Sequence, residues 1–553
     1  MSALRTPPVR IVPLGGLGEI GLNLLVIECA QHAIIIDAGV MFPEERGFGF
    51  GRLLPDLSYL EHSRLQIDAI ILTHGHDDHI GALPYLLRKF HVPVYGTELT
   101  LAFVRRALSE EGPVGVDLRP LRPPMLSQLG PFGVEPLRVT HSTPDSIGLA
   151  IRTPAGLIVH TGDFKIDPAP IDGIQFDTER FSQLGAEGVD LLLSDSTNAE
   201  LEGRSGSESS LKSVLSTLIG RTPRRFFLSC FSSHLHRIRQ LAEAAHEAGR
   251  YVVPLGRRMA ESVRLGLETG QLNVARNTFI DRAEAEFVEP RRLAFLTSGS
   301  QGEPLSALAK LANDTQPQVH IEEGDTVVLS SRFIPGNERT IHSVINSLCK
   351  RGAEVLYEPL APVHVSGHAR RDELREMIHM VRPRHFVPIH GEYRHLALHR
   401  ALAIRSGVAE RDCFLLEDGD TLVMADGKVR RGASVATGRV IEDGEEFADP
   451  GLLRERRALA QKGTVIAIVA VSMRTGKIVT GPHLLSRGVI SGDGTSSHMT
   501  RARGEVLARL KILDAHGRTD GTQIREEMVR TLRRYFSTSI GKRPIILPYV
   551  MEV

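Results

Sequence analysis

Three imidazoles and two carboxylates fall within the six positions His74–His79, directly after the apolar run Ala69-Ile70-Ile71-Leu72. The run reads as a strand and the cluster as a metal site at its end. Residues two apart on an extended chain point to the same side, so His74 and His76 can grip one ion. Asp78 and His79 follow at a turn, with a helix expected to start at Ile80, and are aimed past the first ion toward a second position. A single histidine here would be an ordinary surface residue; this density is not ordinary. Zincin helices carry histidines at i and i+4 with a glutamate between them, and the spacing here is different.

Zinc-type ligation takes about four donors per ion, so one cluster cannot complete two sites. Other apolar runs also end in a donor: Leu137–Thr140 at His141, Leu157–Gly162 at Asp163, Val189–Ser194 at Asp195, His385–Ile389 at His390, and Ala33–Ile36 at Asp37. Each alone is weak, since a histidine after a strand is commonly a loop residue. Strands laid side by side would bring these tips together along one sheet edge. The glycines of Gly16-Leu17-Gly18-Glu19-Ile20-Gly21 fit a dinucleotide-binding pattern, but Leu22–Ile27 and Ala33–Ile36 read as a hairpin with no helix between them. A pyrophosphate would have no helix N-terminus to sit on.

The ordered set His74-x-His76-x-Asp78-His79, His141 and Thr161-Gly162-Asp163 resembles the metallo-β-lactamase superfamily. Ser194-Asp195-Ser196-Thr197, His364-Val365-Ser366-Gly367-His368-Ala369 and Pro388-Ile389-His390-Gly391-Glu392 are similar to the motifs of its nucleic-acid-processing β-CASP branch, and most similar to those of bacterial ribonuclease J. The resemblance implies an α/β fold: a metallo-β-lactamase αββα sandwich with an inserted β-CASP α/β domain and a small C-terminal α+β domain. It implies two divalent metal ions, zinc first, with manganese or magnesium as alternatives. His74, His76 and His141 would hold one ion, Asp78, His79 and His390 the other, and Asp163 would bridge them. Asp37 is either a carboxylate behind the ions that orients their ligands or a simple turn acid.

Two close cations can share a hydroxide, since bound water has its pKa lowered to about 7, and can neutralise phosphate oxygens in an in-line displacement. RNA phosphodiesters suit that chemistry. His368, held by Asp195, is the candidate general acid for the leaving sugar oxygen, with phosphate contact as its alternative role. The small loop His364–His368 has the composition of an anion pocket for an RNA 5′ end. Ser232–Arg237, with Ser233 and His234, and Ser298–Glu303 are further RNA-contact candidates, or ordinary turn and cap residues. The resemblance implies 5′-to-3′ degradation of single-stranded RNA from 5′-monophosphate ends with some internal cleavage, in RNA maturation and decay. It also implies a homodimer through the C-terminal domain and RNA-decay protein partners. The alternatives are another superfamily hydrolase, such as a thioesterase or β-lactamase, and a nonenzymatic RNA-binding scaffold.

The expected organisation is a first metallo-β-lactamase part over 1–205, an insert over 206–360, a second part over 361–432, a linker over 433–462 and a C-terminal domain over 463–553. The insert is read from regular βα alternation, as in Arg225–Leu228 followed by Ile238–Ala248. Equal numbers of basic and acidic residues, 66 each, argue against coating nucleic acid by bulk charge, so any RNA grip must be local. The basic residues Arg530, Arg533, Arg534, Lys542 and Arg543 read as a solvated face. Cys29, Cys230, Cys349 and Cys413 have no paired spacing and read as reduced core thiols of a cytoplasmic protein. The N-terminus, Met1 to Pro8, has no apolar core of signal-peptide length and no apolar run reaches membrane-spanning length, so no membrane partner is expected. With tryptophan absent, base stacking would fall to residues such as Phe231 or Phe333, both equally suited to a core.

Overall fold

In the computed structural model the described residues are 6–42, 51–334, 337–443, 446–448, 450–472, 474–490, 497–513 and 519–553. They divide into two compact units, the first lying within residues 6–439 and the second carrying Val440–Val553.

Two sheets face each other in the first unit. One has eight strands, with Val9–Gly15, Leu24–Cys29, His32–Ile36 and Gln66–Ile71 as neighbours at its centre. The other has six strands in the order His385–Ile389, Leu191–Asp195, Gly156–His160, Ile147–Thr153, Phe132–Arg138 and Ser127–Leu129. Side chains alternate across a strand, and both faces of the second sheet are apolar. Ile151, Ile158, Leu191, Leu193 and Val387 pack against Ile27, Ile34, Ile36 and Ile71 of the first sheet. Their neighbours Ala150, Val159, Leu192 and Phe386 pack outward against Phe181, Leu184, Leu374, Met377 and Leu402 of flanking helices. The result is an αββα sandwich. Leu24–Cys29 and His32–Ile36 form an antiparallel hairpin, and no helix follows the Gly16–Gly21 glycines, which removes the dinucleotide reading.

Between Asp195 and His385 the chain builds a separate five-stranded sheet, all parallel, in the order Tyr251–Leu255, Leu293–Thr297, Phe226–Ser229, Thr326–Leu329 and Glu354–Leu356. Helices such as Leu235–Glu247 and Glu338–Lys350 connect its strands. The chain then returns, and His385–Ile389 lies parallel to Leu191–Asp195 in the sandwich.

Three differences from the sequence reading have physical causes. The helix after the histidine cluster begins at Asp77, not Ile80, because acidic residues favour the positive end of a helix. Cys349 is exposed, on the outer face of its helix, while Cys29, Cys230 and Cys413 are buried thiols. The stretch read as a linker carries the strand Arg439–Asp443 and the helix Pro450–Lys462, whose polar composition on sequence hid its leucines. In the second unit a three-stranded sheet, Lys477–Arg487, Thr464–Ser472 and Ile545–Glu552, packs on the helices Ser497–Ile512 and Gly521–Ile540. No helix of the described residues is long and apolar enough to cross a membrane.

Candidate metal centre

The strand tips converge. His74, His76, His141 and Asp163 form one group, and Asp78, His79, Asp163 and His390 a second, with the ligand atoms of each group all within 4.8 Å of one another. A single oxygen, Asp163 Oδ2, lies 3.7 Å from His74 Nε2, 3.9 Å from His141 Nε2, 3.2 Å from His79 Nε2 and 3.7 Å from His390 Nε2. Asp163 stands at the junction of the two groups. Its turn admits only glycine before it: Gly162 has φ +58°, and a Cβ there would lie 2.5 Å from the Ile147 carbonyl oxygen.

Four of the five histidines spend Nδ1 on a group outside the cluster and turn Nε2 inward. His74 Nδ1 meets Thr73 Oγ1 at 3.1 Å, and that hydroxyl donates to Asp37 at 2.9 Å. His79 Nδ1 donates to Asp37 Oδ2 at 2.7 Å, and His141 Nδ1 to the Gly367 carbonyl at 2.8 Å. His390 Nδ1 meets Thr197 Oγ1 at 2.6 Å, and that hydroxyl donates to Asp195 at 2.7 Å. These bonds place a proton on Nδ1 and leave Nε2 as the nitrogen that faces the centre, free to give a lone pair to a cation. His76 turns Nδ1 inward, 2.9 Å from His74 Nε2 and 3.2 Å from His141 Nε2.

Lone pairs aimed at one another this closely repel unless a cation lies among them. Burial first, and then neighbouring histidines, hold His74 and His141 well below the ordinary imidazole range, and burial outweighs nearby carboxylates to bring His76 to about 4. Neutral imidazole is the form that ligates metal. At His79 burial opposes charge, but Asp163, Asp37 and Asp78 together raise it well above its usual value; at His390 the carboxylates raise it to about 10. That second group is carboxylate-rich and attracts positive charge of any kind. All donors are nitrogen and oxygen, a set that suits a borderline or hard divalent cation. The residues fit two such ions.

Beside the centre, Asp195 accepts from His368 Nδ1 at 2.8 Å. The carboxylate overcomes burial to raise His368 above its usual value, and His368 in turn holds Asp195 below the carboxylate range. The His368 ring stacks on His390 at 5.5 Å between centroids.

Comparison with known sequences agrees with this geometry. Residues 19–201 match the family model of the metallo-β-lactamase superfamily, 223–348 that of the ribonuclease J β-CASP domain, 353–414 that of the Zn-dependent metallo-hydrolase RNA specificity domain, and 451–553 that of the ribonuclease J C-terminal domain. Ribonuclease J2 of Bacillus subtilis is 35% identical over 100% of both chains. Ribonuclease J of Mycobacterium tuberculosis is 38% identical over 99% of this chain and 97% of its own. The chain belongs to the ribonuclease J family. In fold alone it is also similar to a crystal structure of a protein of unknown function from Enterococcus faecalis, with TM-score 0.50 and 17% identity over 75% of this chain and all of that one.

The loop His364–His368 lies against the two histidine–aspartate groups. Gly367 abuts the His141 ring, and Asn198 Nδ2 donates to Ser366 Oγ at 2.8 Å and to the His368 carbonyl at 3.1 Å. His364, Val365, Ser366 and His368 are partly accessible, and so is Ser233. His234 is buried and caps the helix Leu235–Glu247 by accepting from Arg237 N. Of the loop Ser298–Glu303, the Gln301 side chain is consumed within the fold, bonding Ser331 and the backbone of Arg332 and Ile334. Phe231 is exposed, whereas Phe333 stacks on Tyr357.

Sequence reasoning missed several partners. Asn23, the one polar residue inside the apolar run Leu22–Ile27, donates to the Asp78 carbonyl and lies 3.2 Å from His79 Nε2. That isolation was its signal. Asn198 directly follows a quoted motif. Arg332, 46% exposed, donates to Asn198 Oδ1 at 2.9 Å and brings a positive charge to the His364–His368 loop; nothing in its local sequence marks it.

Proposed function

We propose that this chain is a two-metal hydrolytic ribonuclease that degrades single-stranded RNA in the 5′-to-3′ direction from 5′-monophosphate ends, with some internal cleavage. The observation that carries the reading is Asp163 Oδ2, shared by inward-facing nitrogens of both histidine groups, with the His368–Asp195 pair next to it. His74, His76 and His141 would hold one divalent ion and Asp78, His79 and His390 the other, with Asp163 common to both and Asp37 orienting His79. When bound, the pair supplies an acidified water at neutral pH and neutralises phosphate charge.

The protein's own groups do the rest. Asp195 fixes the Nδ1–H of His368 and leaves Nε2 for the leaving sugar oxygen, which it protonates. Ser366 and its neighbours, with Arg332 joined to them through Asn198, receive the 5′-terminal phosphate, and Ser233 and His234 are further candidate contacts. The family resemblance supports zinc, with manganese or magnesium as substitutes, and roles in RNA maturation and decay in the cytoplasm. It supports a homodimer through the C-terminal domain and contacts with other RNA-decay proteins. We take the domain bounds as 1–205, 206–360, 361–432 and 463–553, with the segment between the last two as a structured connector. Incubating end-labelled 5′-monophosphorylated RNA with the protein, with and without chelator, tests the reading. Mononucleotides released only without chelator support it; intact RNA in both arms refutes it.

A further inference from the structure

Arg237, in the first turn of the helix Leu235–Glu247, has a fully buried side chain, 0% exposed, although the sequence offered the stretch Ser232–Arg237 as a possible RNA contact. It cannot touch RNA, and its guanidinium is committed elsewhere. One end donates to Glu208 Oε2 at 2.9 Å. The other donates to the carbonyls of Ser330 at 3.3 Å and Val363 at 3.2 Å, and also meets the Ser330 hydroxyl. Ser330 Oγ itself donates to the Val363 carbonyl at 2.5 Å.

Val363 is the residue before His364, so this knot fixes the point from which the His364–His368 loop departs. The far end of the loop is fixed by His141 at the Gly367 carbonyl and by the backbone bond from Ala369 N to the Phe164 carbonyl at 2.6 Å. Between those anchors lie Val365 and Ser366, whose position the proposed 5′-phosphate pocket depends on. Glu208 is anchored in turn, its amide donating to Asp167 Oδ2 at 2.9 Å and its carboxylate facing Lys165 and His234 at 3.6 Å. A buried ion pair adds little stability over well-packed apolar residues, so a buried arginine is better accounted for by the geometry it imposes. Only its planar fork can serve a carboxylate and two separate carbonyls together; a lysine cannot.

We propose that Arg237 is a specificity-determining positioning residue: it sets the His364–His368 loop so that a 5′-phosphorylated RNA end is preferred over a 5′-hydroxyl end. This rests on the reading of that loop as the 5′-phosphate pocket. The test compares wild type with Arg237→Met and Arg237→Lys on one RNA carrying either end, measuring kcat and KM separately, with metal content and thermal melting alongside. In the variants KM for the 5′-monophosphorylated RNA rises about tenfold or more while kcat falls by less than about threefold. The ratio of kcat/KM between the two ends drops toward one, and metal content stays at the wild-type level. A merely structural residue would lower both ends alike and leave the ratio unchanged, which overturns the proposal. If Arg237→Met does not fold, Arg237→Lys and Glu208→Gln are read by the same ratio. A wild-type protein with no end preference overturns the pocket reading and this inference with it; a preference kept by folded variants overturns this inference alone.

Discussion

Asp37→Asn separates an orienting carboxylate from a turn acid. Asp37 is buried, has φ +62°, and accepts from Thr73 N at 2.8 Å, Thr73 Oγ1 at 2.9 Å and His79 Nδ1 at 2.7 Å. Asparagine tolerates the left-handed backbone and keeps the shape, so the fold should survive. Its single oxygen still serves Thr73 N, which leaves the amide NH2 facing His79. To avoid two opposed donors His79 must move its proton to Nε2, the atom it turns toward Asp163 and Asp78, and that proton then has to be displaced before a metal binds. A hydrogen bond to a charged group contributes about 1.5–3 kcal/mol, which corresponds to a loss of roughly ten- to hundredfold in affinity for one ion. Titrating metal-stripped protein against a competing chelator should show one tight and one weakened site, where wild type shows two tight ones. Dialysed Asp37→Asn should retain about one ion per chain and melt cooperatively. Two ions bound at wild-type affinity would refute the orienting role and leave Asp37 a turn acid.

His76→Ala should lose metal and cleavage together, whereas His368→Ala should keep its metal and cleave about 10²–10⁴-fold more slowly; equal metal loss, read by elemental analysis, would remove His368 from acid catalysis. Gly367→Ala places a Cβ 2.8 Å from His141 Cε1 and 2.9 Å from Ser142 Cβ, an overpacking that costs about 1–3 kcal/mol. Metal retention and melting temperature should both fall, and an unchanged metal content would show that the loop yields instead. Burial and the facing Glu19 carboxylate push Asp418 up to about 7. A carboxyl whose folded pKa is raised stabilises the fold below its unfolded value near 4 and loses that contribution as pH rises toward 7. Urea unfolding should therefore show wild type losing more stability between pH 5 and pH 8 than Asp418→Asn, and parallel losses would refute this.

The convergence of the histidines and aspartates was legible because they follow apolar strands, and strands that share a sheet share an edge. The hairpin Leu24–Ile36 was legible for the same reason, as was the βα alternation of the insert. What sequence could not give is which polar side chains stand behind the ligands. Thr197, Asn23 and Asn198 act through pairings across 55 to 193 residues; the isolation of Asn23 in its apolar run marks the residue, but no local pattern names any of the three partners. For Arg237 the sequence left RNA contact and an ordinary turn role both open, because nothing local shows that Glu208 and two carbonyls surround it. At His234 the structure shows the cap role that the sequence held as the alternative.

The register of the returning strand ties fold and site together. Asp195 pairs with Ile389, so His390 emerges beside Asp195 although 189 residues, 196–384, lie between the two strands. Hydrophobicity sets this register weakly. A one-residue slip exchanges the two faces of a strand, and here both faces are buried, Val387 inward with Leu191 and Leu193, Phe386 outward with Leu192. Pro388 lacks an amide proton and is tolerated because His385–Ile389 is the edge strand: His385 N bonds toward Asp190, so the alternate positions Phe386 and Pro388 face away from that neighbour. The specific locks lie at the tip. Ser196 N donates to the His390 carbonyl at 3.3 Å, and Thr197 Oγ1 bridges His390 Nδ1 to Asp195. They also hold His390 at φ +54°, a backbone geometry uncommon outside glycine and asparagine. The bonds that aim His390 at Asp163 and the histidine cluster are therefore the same bonds that fix where the inserted chain rejoins its sheet.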